Sequence, residues 1–340
     1  MEGRYALLLL AVLTASAQNT NFECKYDDGN GGDWMVAYKF PQDESTAFMA
    51  PRISWKSSSM EADSPIGRTL NQYIDLSASG GPVMSEKEAV GIIAYNQHPP
   101  SGVMVASLPG RGVLMVPDGT GIWIVHTFPQ FPNLEDDATY EKPKRSNKAG
   151  MFVCVKISTA FNSIVEMLTY EAPLIYFLKK PTGTNNNWPK KNVEDLEKGS
   201  AFRVTPYAKY LDLKMSSLTL KAFAKLPQAN LGDRPDFIKK SLRIWGQGDV
   251  RYKLPNYCNA FYKVEVLYGE FTLLNKKISN QYDSTVWLVS KGGKVWCFSN
   301  SPRLRTYEQY GNGVLCLENA EIYSAFKTLA DQTKSPHCPK

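Results

Sequence analysis

Histidine is nearly missing from this chain: there are three in 340 residues, His98, His126 and His337. So few imidazoles supply no cluster for a transition metal and leave little acid–base chemistry near neutral pH. Neither a P-loop nor a G-x-G-x-x-G stretch is present, and G-x-S-x-G and H-E-x-x-H are missing too. P-loop phosphoryl transfer, dinucleotide binding, elbow-type serine hydrolysis and zinc proteolysis are thereby disfavoured. No C-x-x-C joins any of the six cysteines, which argues against a zinc ribbon or a thioredoxin-type redox site. There is no Asn-x-Ser/Thr acceptor for N-glycosylation. No apolar run reaches the roughly 20 residues of a membrane-spanning helix. Charge of one sign is in small excess, 39 Lys and Arg against 33 Asp and Glu. The resulting +6 permits an acidic partner such as a nucleic acid without demanding one.

What is present begins with a targeting segment, Met1–Ala17. Arg4 supplies its positive region, Tyr5–Leu13 its apolar region and Ala15-Ser16-Ala17 a small-residue cleavage site. Cys24, Cys154, Cys258, Cys297, Cys316 and Cys338 all lie beyond it. An even count in an exported chain implies disulfides, although six thiols allow about 15 pairings. The remaining chain is long enough for one large domain or two modules.

The most ordered stretch is Arg111 to Pro132. Two apolar, β-branched runs, Gly112–Val116 and Ile122–Thr127, flank turn residues at Pro117–Gly121. This predicts a hairpin, covered on both faces and central to a sheet. His126 ends its second strand, where a buried histidine bonded to backbone and a functional one are equally reasonable readings. A second hairpin of the same design follows at Thr285–Ser290 and Lys294–Ser299, joined by Lys291-Gly292-Gly293. Two such hairpins suggest two related modules facing each other.

Further strands are expected at Asp33–Phe40, Val90–Asn96, Met104–Ser107 and Met151–Ile157. Thr159–Glu171 puts Phe161, Ile164, Val165 and Leu168 on one helical face, with Ser158 or Thr159 placed to cap it. Pro181–Pro189 is a polar loop and the expected boundary, giving a targeting segment at 1–17 and halves at 18–180 and 190–340. Helices are expected at Leu218–Leu226, Asp236–Leu242 and Glu318–Leu329, with strand-like runs between Leu242 and Leu254. Lys225, Arg234, Lys239, Lys240, Arg243 and Arg251 give this part a basic tilt. A solvated face explains it more readily than a nucleic-acid groove. His98, in Gln97-His98-Pro99-Pro100, reads as a loop residue, and His337 lies in the tail.

Several segments together resemble deoxyribonuclease II: DWMVAYKFP at Asp33–Pro41, AYNQHPP at Ala94–Pro100, the hairpin at Gly112–Pro132, LTYEAPLIY at Leu168–Tyr176, AFAK at Ala222–Lys225, and Cys297–Phe326. The resemblance runs in order from about Cys24 to Cys338. It implies an α/β, phospholipase D-like fold: a pseudo-dimer of two αβα modules with central mixed sheets around one active site. It also implies DNA cleavage at acidic pH without metal or cofactor, leaving 3′-phosphates. Each half of the family contributes a His-x-Lys motif at the start of its hairpin. One histidine acts as nucleophile and the other as acid, while the lysines stabilise charge on the phosphate. Finally, it implies disulfides Cys24–Cys154, Cys258–Cys338 and Cys297–Cys316, the last stapling the loop after the second hairpin to the terminal helix.

This chain departs from that pattern where the chemistry lies. Pro109-Gly110-Arg111 and Ser284-Thr285-Val286 stand at the two motif positions. Arg111 keeps a charge without lysine's geometry, and Val286 removes the other. His126 matches a family histidine after the first hairpin. Arg303, Glu308 and Gln309 match polar positions, and Pro302 replaces an asparagine. The expectation is therefore a secreted, deoxyribonuclease II-like protein, catalytically impaired or silent, that binds DNA weakly through Arg111 and Arg303. The alternatives are an active nuclease using His126, and an exported structural or protein-partner module. The lysosome is the alternative destination.

Overall fold

The computed structural model describes residues 20–76, 86–135, 137–199, 206–229, 237–247, 253–259, 261–335 and 338. The expected targeting segment, Arg234, Arg251 and His337 lie outside them.

The first large sheet has eight strands: β1 (Trp34–Lys39), β2 (Thr46–Ala50), β3 (Ile53–Ser58), β4 (Gly91–Asn96), β5 (Arg111–Val116), β6 (Gly121–His126), β7 (Gly150–Ile157) and β8 (Ile175–Lys179). Their spatial order is β8-β4-β5-β6-β7-β1-β2-β3, and every pairing is antiparallel. The hairpin β5–β6 is interior and, apart from a half-buried Arg111, wholly buried. The β-branched character of its strands suits such a position.

The second large sheet has seven strands: β9 (Ala208–Lys214), β10 (Thr219–Lys225), β11 (Leu242–Trp245), β12 (Val264–Val266), β13 (Val286–Ser290), β14 (Val295–Ser299) and β15 (Asn312–Glu318). Their order is β9-β10-β15-β14-β13-β11-β12. Only β11 and β12 run parallel. The turn between β13 and β14 needs its glycines, because Gly292 and Gly293 both have positive φ, 77° and 91°.

Helices α1 (Pro65–Ile74), α2 (Phe161–Glu171), α3 (Lys190–Glu197) and α4 (Ala320–Asp331) complete the large elements. Side chains alternate across each strand, and each sheet therefore has two packed faces. One face of the first sheet meets α1. The other shares a single core with α2, α3, α4 and the inner face of the second sheet, including Trp34, Trp123, Trp287, Trp296 and Phe326. The outer face of the second sheet packs separately around Ile244, Val286 and Leu288. No described helix is long and apolar enough to cross a membrane.

Several elements differ from expectation. Leu218–Leu226 is not a helix; Thr219–Lys225 is strand β10, paired on one side with β9 and on the other with β15. Its Lys, Ala and Leu favour helix weakly, and the two flanking strands outweigh that preference. Residues 237–240 form turns, and β11 begins at Leu242. Met104–Ser107 pairs with no strand. Helix α2 starts at Phe161, two residues past Thr159: its cap is Ala160, at φ 68°, which makes no side-chain cap bond. At α4, Asn319 accepts from the Glu321 and Ile322 amides, so the helix begins two residues after Glu318.

Three disulfides join Cys24 to Cys154, Cys258 to Cys338 and Cys297 to Cys316. Cys297 and Cys316 face each other on neighbouring strands β14 and β15. The bridge therefore links two strands of one sheet, and not a loop to the terminal helix.

Candidate functional site

Strand alternation decides where the motif positions point. Val113 and Met115 face the α1 side of the first sheet, so Arg111, two residues before Val113, does too. Val286 lies with Leu288 on the outer face of the second sheet. Thr127, just past β6, links the starts of the two hairpins. Arg111 donates from Nη1 to the Thr127 carbonyl at 2.9 Å, and the Ser284 hydroxyl lies 3.4 Å from the Thr127 hydroxyl. Asn300, just past β14, donates to the Arg111 carbonyl at 3.0 Å. Arg111 and Ser284 therefore share neighbours across the two sheets.

Neither group is free to act on a substrate as it stands. Arg111 also donates from Nε to Asn96 Oδ1 at 3.1 Å. Burial lowers its pKa to about 10, with Tyr307 opposing the shift, and it remains a cation at acidic and neutral pH. Ser284 gives its proton to the Ala149 carbonyl at 2.6 Å. Pro109 is buried and Val286 is 5 % exposed. Arg303 is 8 % exposed and donates to the Leu254 and Pro255 carbonyls at 2.6 and 3.0 Å.

His126 is enclosed. It has no exposed surface, and the rings of Phe128, Phe131 and Phe152 surround it. Its Nδ1 accepts from the Phe128 amide at 3.1 Å, while Nε2 has no partner. Burial, helped by the Arg111 charge, drops its pKa to about 3. A neutral imidazole walled in by three phenyl rings reaches no phosphate arriving from solvent. His98 is less enclosed and lies near enough to Arg111 for that charge, after burial, to lower its pKa.

Two buried carboxyl groups near the hairpin starts carry no signal in residue spacing. Asp283, immediately before Ser284, has no exposed surface. It accepts from Tyr38 Oη at 2.5 Å, Trp245 Nε1 at 2.7 Å and the Thr285 amide at 2.8 Å. Tyr38 belongs to the first sheet, and its hydroxyl also meets Thr285 Oγ1 at 2.8 Å and Trp287 Nε1 at 3.3 Å. This polar cluster clamps the start of the second hairpin to the first sheet. Burial raises the pKa of Asp283, opposed by the hydrogen bonds it accepts.

Glu171 ends α2 and is 4 % exposed, with Oε1 unpartnered. Burial raises its pKa to about 7, opposed by Asn300. Gly110, at φ 112°, presses its backbone against this carboxyl, where a Cβ would collide with it. Position 110 is therefore held to glycine twice over, by conformation and by space. Among the described residues no group of three or more His, Cys, Asp or Glu converges to hold a metal ion.

The family model for deoxyribonuclease II matches residues 23–336. Deoxyribonuclease-2-alpha of Rattus norvegicus is 25% identical, covering 98% of this chain and 99% of its own length. Plancitoxin-1 of Acanthaster planci is also 25% identical, with 95% of each chain covered. Deoxyribonuclease-2-beta of Homo sapiens is 22% identical over 96% of this chain and 94% of its own.

Proposed function

This chain belongs to the deoxyribonuclease II family, and from that premise we propose that it keeps the DNA-facing cleft and has lost the cleavage chemistry. The family's fold is phospholipase D-like, and the two large sheets would be its two halves, meeting near residue 190. One observation carries the reading. Pro109, Arg111, Ser284 and Val286 occupy the positions where the family resemblance has two His-x-Lys motifs.

Losing a nucleophile alone costs on the order of 10⁴–10⁶ in rate. Here nucleophile, acid and one of the two motif cations are replaced together. His126 offers no substitute from its phenyl enclosure. Arg111 and Arg303 supply cationic charge for phosphate, weakened because both guanidinium groups already serve backbone carbonyls. The three disulfides support folding in an oxidising compartment; on this reading the protein is secreted, with the lysosome as alternative.

Plasmid nicking at acidic pH with a chelator, run beside a DNA-binding titration, tests the reading. The expected result is nicking at background, with weak binding that falls steeply as salt rises, because phosphate contacts release counterions. Robust nicking that disappears on His98→Ala or His126→Ala would make the protein an enzyme after all. Absence of binding at low salt would favour the protein-partner reading.

A further inference from the structure

Glu171 is a buried acid to which the proposed function gives no task, and the chain around it is cut back to make room. It ends α2, whose apolar side lies in the core shared by both sheets. A Cβ at Gly110 would collide with Oε1, one at Gly313 with Oε2, and one at Gly311 with the Glu171 carbonyl. These glycines belong to the start of the first hairpin and to β15 with the residue before it. The hydrogen bonding of the carboxyl is thin by comparison. Its Oε1 has no partner, and the Asn300 side chain is what bonds it. Asn300 also donates to the Arg111 carbonyl at 3.0 Å, so one side chain ties Glu171 to the start of β5. Beside the carboxyl is a gap of about 10 Å³, lined by Tyr95, Trp123, Asn300 and Gly313 among others. A volume of about that size holds one water.

The charges nearby do not favour an anion. Among the described residues lining the gap there is no Lys, Arg or His. Tyr95 of β4 is the other titratable group there; it accepts from Trp123 at 3.2 Å, and burial beside Glu171 keeps it protonated. Arg111 spends its guanidinium on Asn96 and the Thr127 carbonyl. Lys225 of β10 spends its ammonium on the Glu308 and Tyr310 carbonyls. Glu166, on α2 itself, pairs with Lys209 at 2.8 Å. A carboxylate in this place would be buried without a cation, which is strongly unfavourable, whereas a neutral carboxyl is not. We propose that Glu171 is an acid-held latch. Neutral, it lets Gly110 and Gly313 close on its two oxygens; ionised, it draws water into the gap and loosens the first hairpin's start from β15. Burial holds the closed carboxyl at a pKa of about 7, against 4.5 for one that reaches water. Opening therefore becomes easier as pH rises between those values and levels off above them.

Hydrogen–deuterium exchange with mass spectrometry, on the intact protein and corrected for intrinsic exchange, tests this. No DNA is added, so the latch holds or fails apart from the DNA reading. Peptides spanning 108–114 and 309–315 should exchange at least about tenfold faster at pH 7.5 than at pH 5. Peptides from α4 should not share the change, and Glu171→Gln, which stays neutral, should keep the slow exchange at both pH values. If that variant does not fold, the pH profile of the unaltered protein decides: a rise that levels off near pH 7 supports the latch. No rise, an equal rise in α4, or the same response in Glu171→Gln would overturn it. So would a rise that only begins near pH 8, where the Lys225 ammonium titrates.

Discussion

Glu171 and His126 are both buried next to the first hairpin, and acid acts on them in opposite directions. Glu171 has its pKa raised from 4.5 to about 7. Between those values the unfolded glutamate ionises while the buried one stays neutral, so its contribution to stability is full below 4.5 and lost as pH rises towards 7. The loss is about 3 kcal/mol across the window. His126 has its pKa lowered from 6.5 to about 3. Below 6.5 the unfolded imidazole takes up a proton that the buried one refuses, so stability falls as pH falls. The two slopes offset each other between 4.5 and 6.5. Glu171→Gln keeps the side-chain size and removes one slope. Its melting temperature should fall, relative to the parent protein, as pH drops from 6.5 to 4.5. Thermal denaturation of both proteins over that range checks this, and a gap that does not change with pH would mean that Glu171 is ionised in the folded state.

At the scale of elements, the hairpins and the terminal helix were legible because each satisfies a local rule. The β5–β6 and β13–β14 runs are apolar, and Gly292 and Gly293 turn the second hairpin at positive φ. Helix α4 places Ile322, Phe326 and Leu329 inward with the expected spacing. Strand β10 was not legible, because its neighbours β9 and β15 are set by sequence partly far from it and override its own preference. The disulfide between β14 and β15 closes a separation of 19 residues. Replacing Cys297 and Cys316 by serine together should cost roughly 3 kcal/mol by the chain-entropy estimate. Denaturant unfolding of the double variant measures this, and peptide mapping without reduction should recover the two cysteines in one linked pair. Recovery of both as free thiols would count against the pairing of these strands.

The whole molecule brings the starts of the two hairpins together through contacts made by both sheets. Thr127 meets Arg111 and Ser284, and the Tyr38–Asp283 hydrogen bond clamps the segment before Ser284 to β1. A change at either hairpin start is therefore felt beside the other. The quadruple substitution Pro109→His, Arg111→Lys, Ser284→His and Val286→Lys writes a His-x-Lys at the start of each hairpin. It should restore some metal-independent plasmid nicking at acidic pH, while either half alone restores none, since nucleophile and acid work as one unit. Recovery should stay far below that of an intact nuclease. Pro302, where the family resemblance has an asparagine, is left unchanged in this variant, and loosely supported groups perform poorly. A folded quadruple variant without activity would show that the cleft itself has changed shape.

By itself the sequence determined the apolar runs, the helix faces, the family and the absence of histidine at 109 and 284, because each is a matter of residue type and spacing along the chain. Only the tertiary structure decided that His126 sits walled in by Phe128, Phe131 and Phe152, two of them close in sequence and one across a strand pair. It alone decided that Arg111 and Arg303 spend their donors on backbone carbonyls. The same holds for Asp283 and Glu171, whose charge state depends on how completely the surrounding chain buries them. Burial is the physical reason in each case. It is created by residues from many parts of the chain at once, and it sets whether a polar group meets water, a partner or neither.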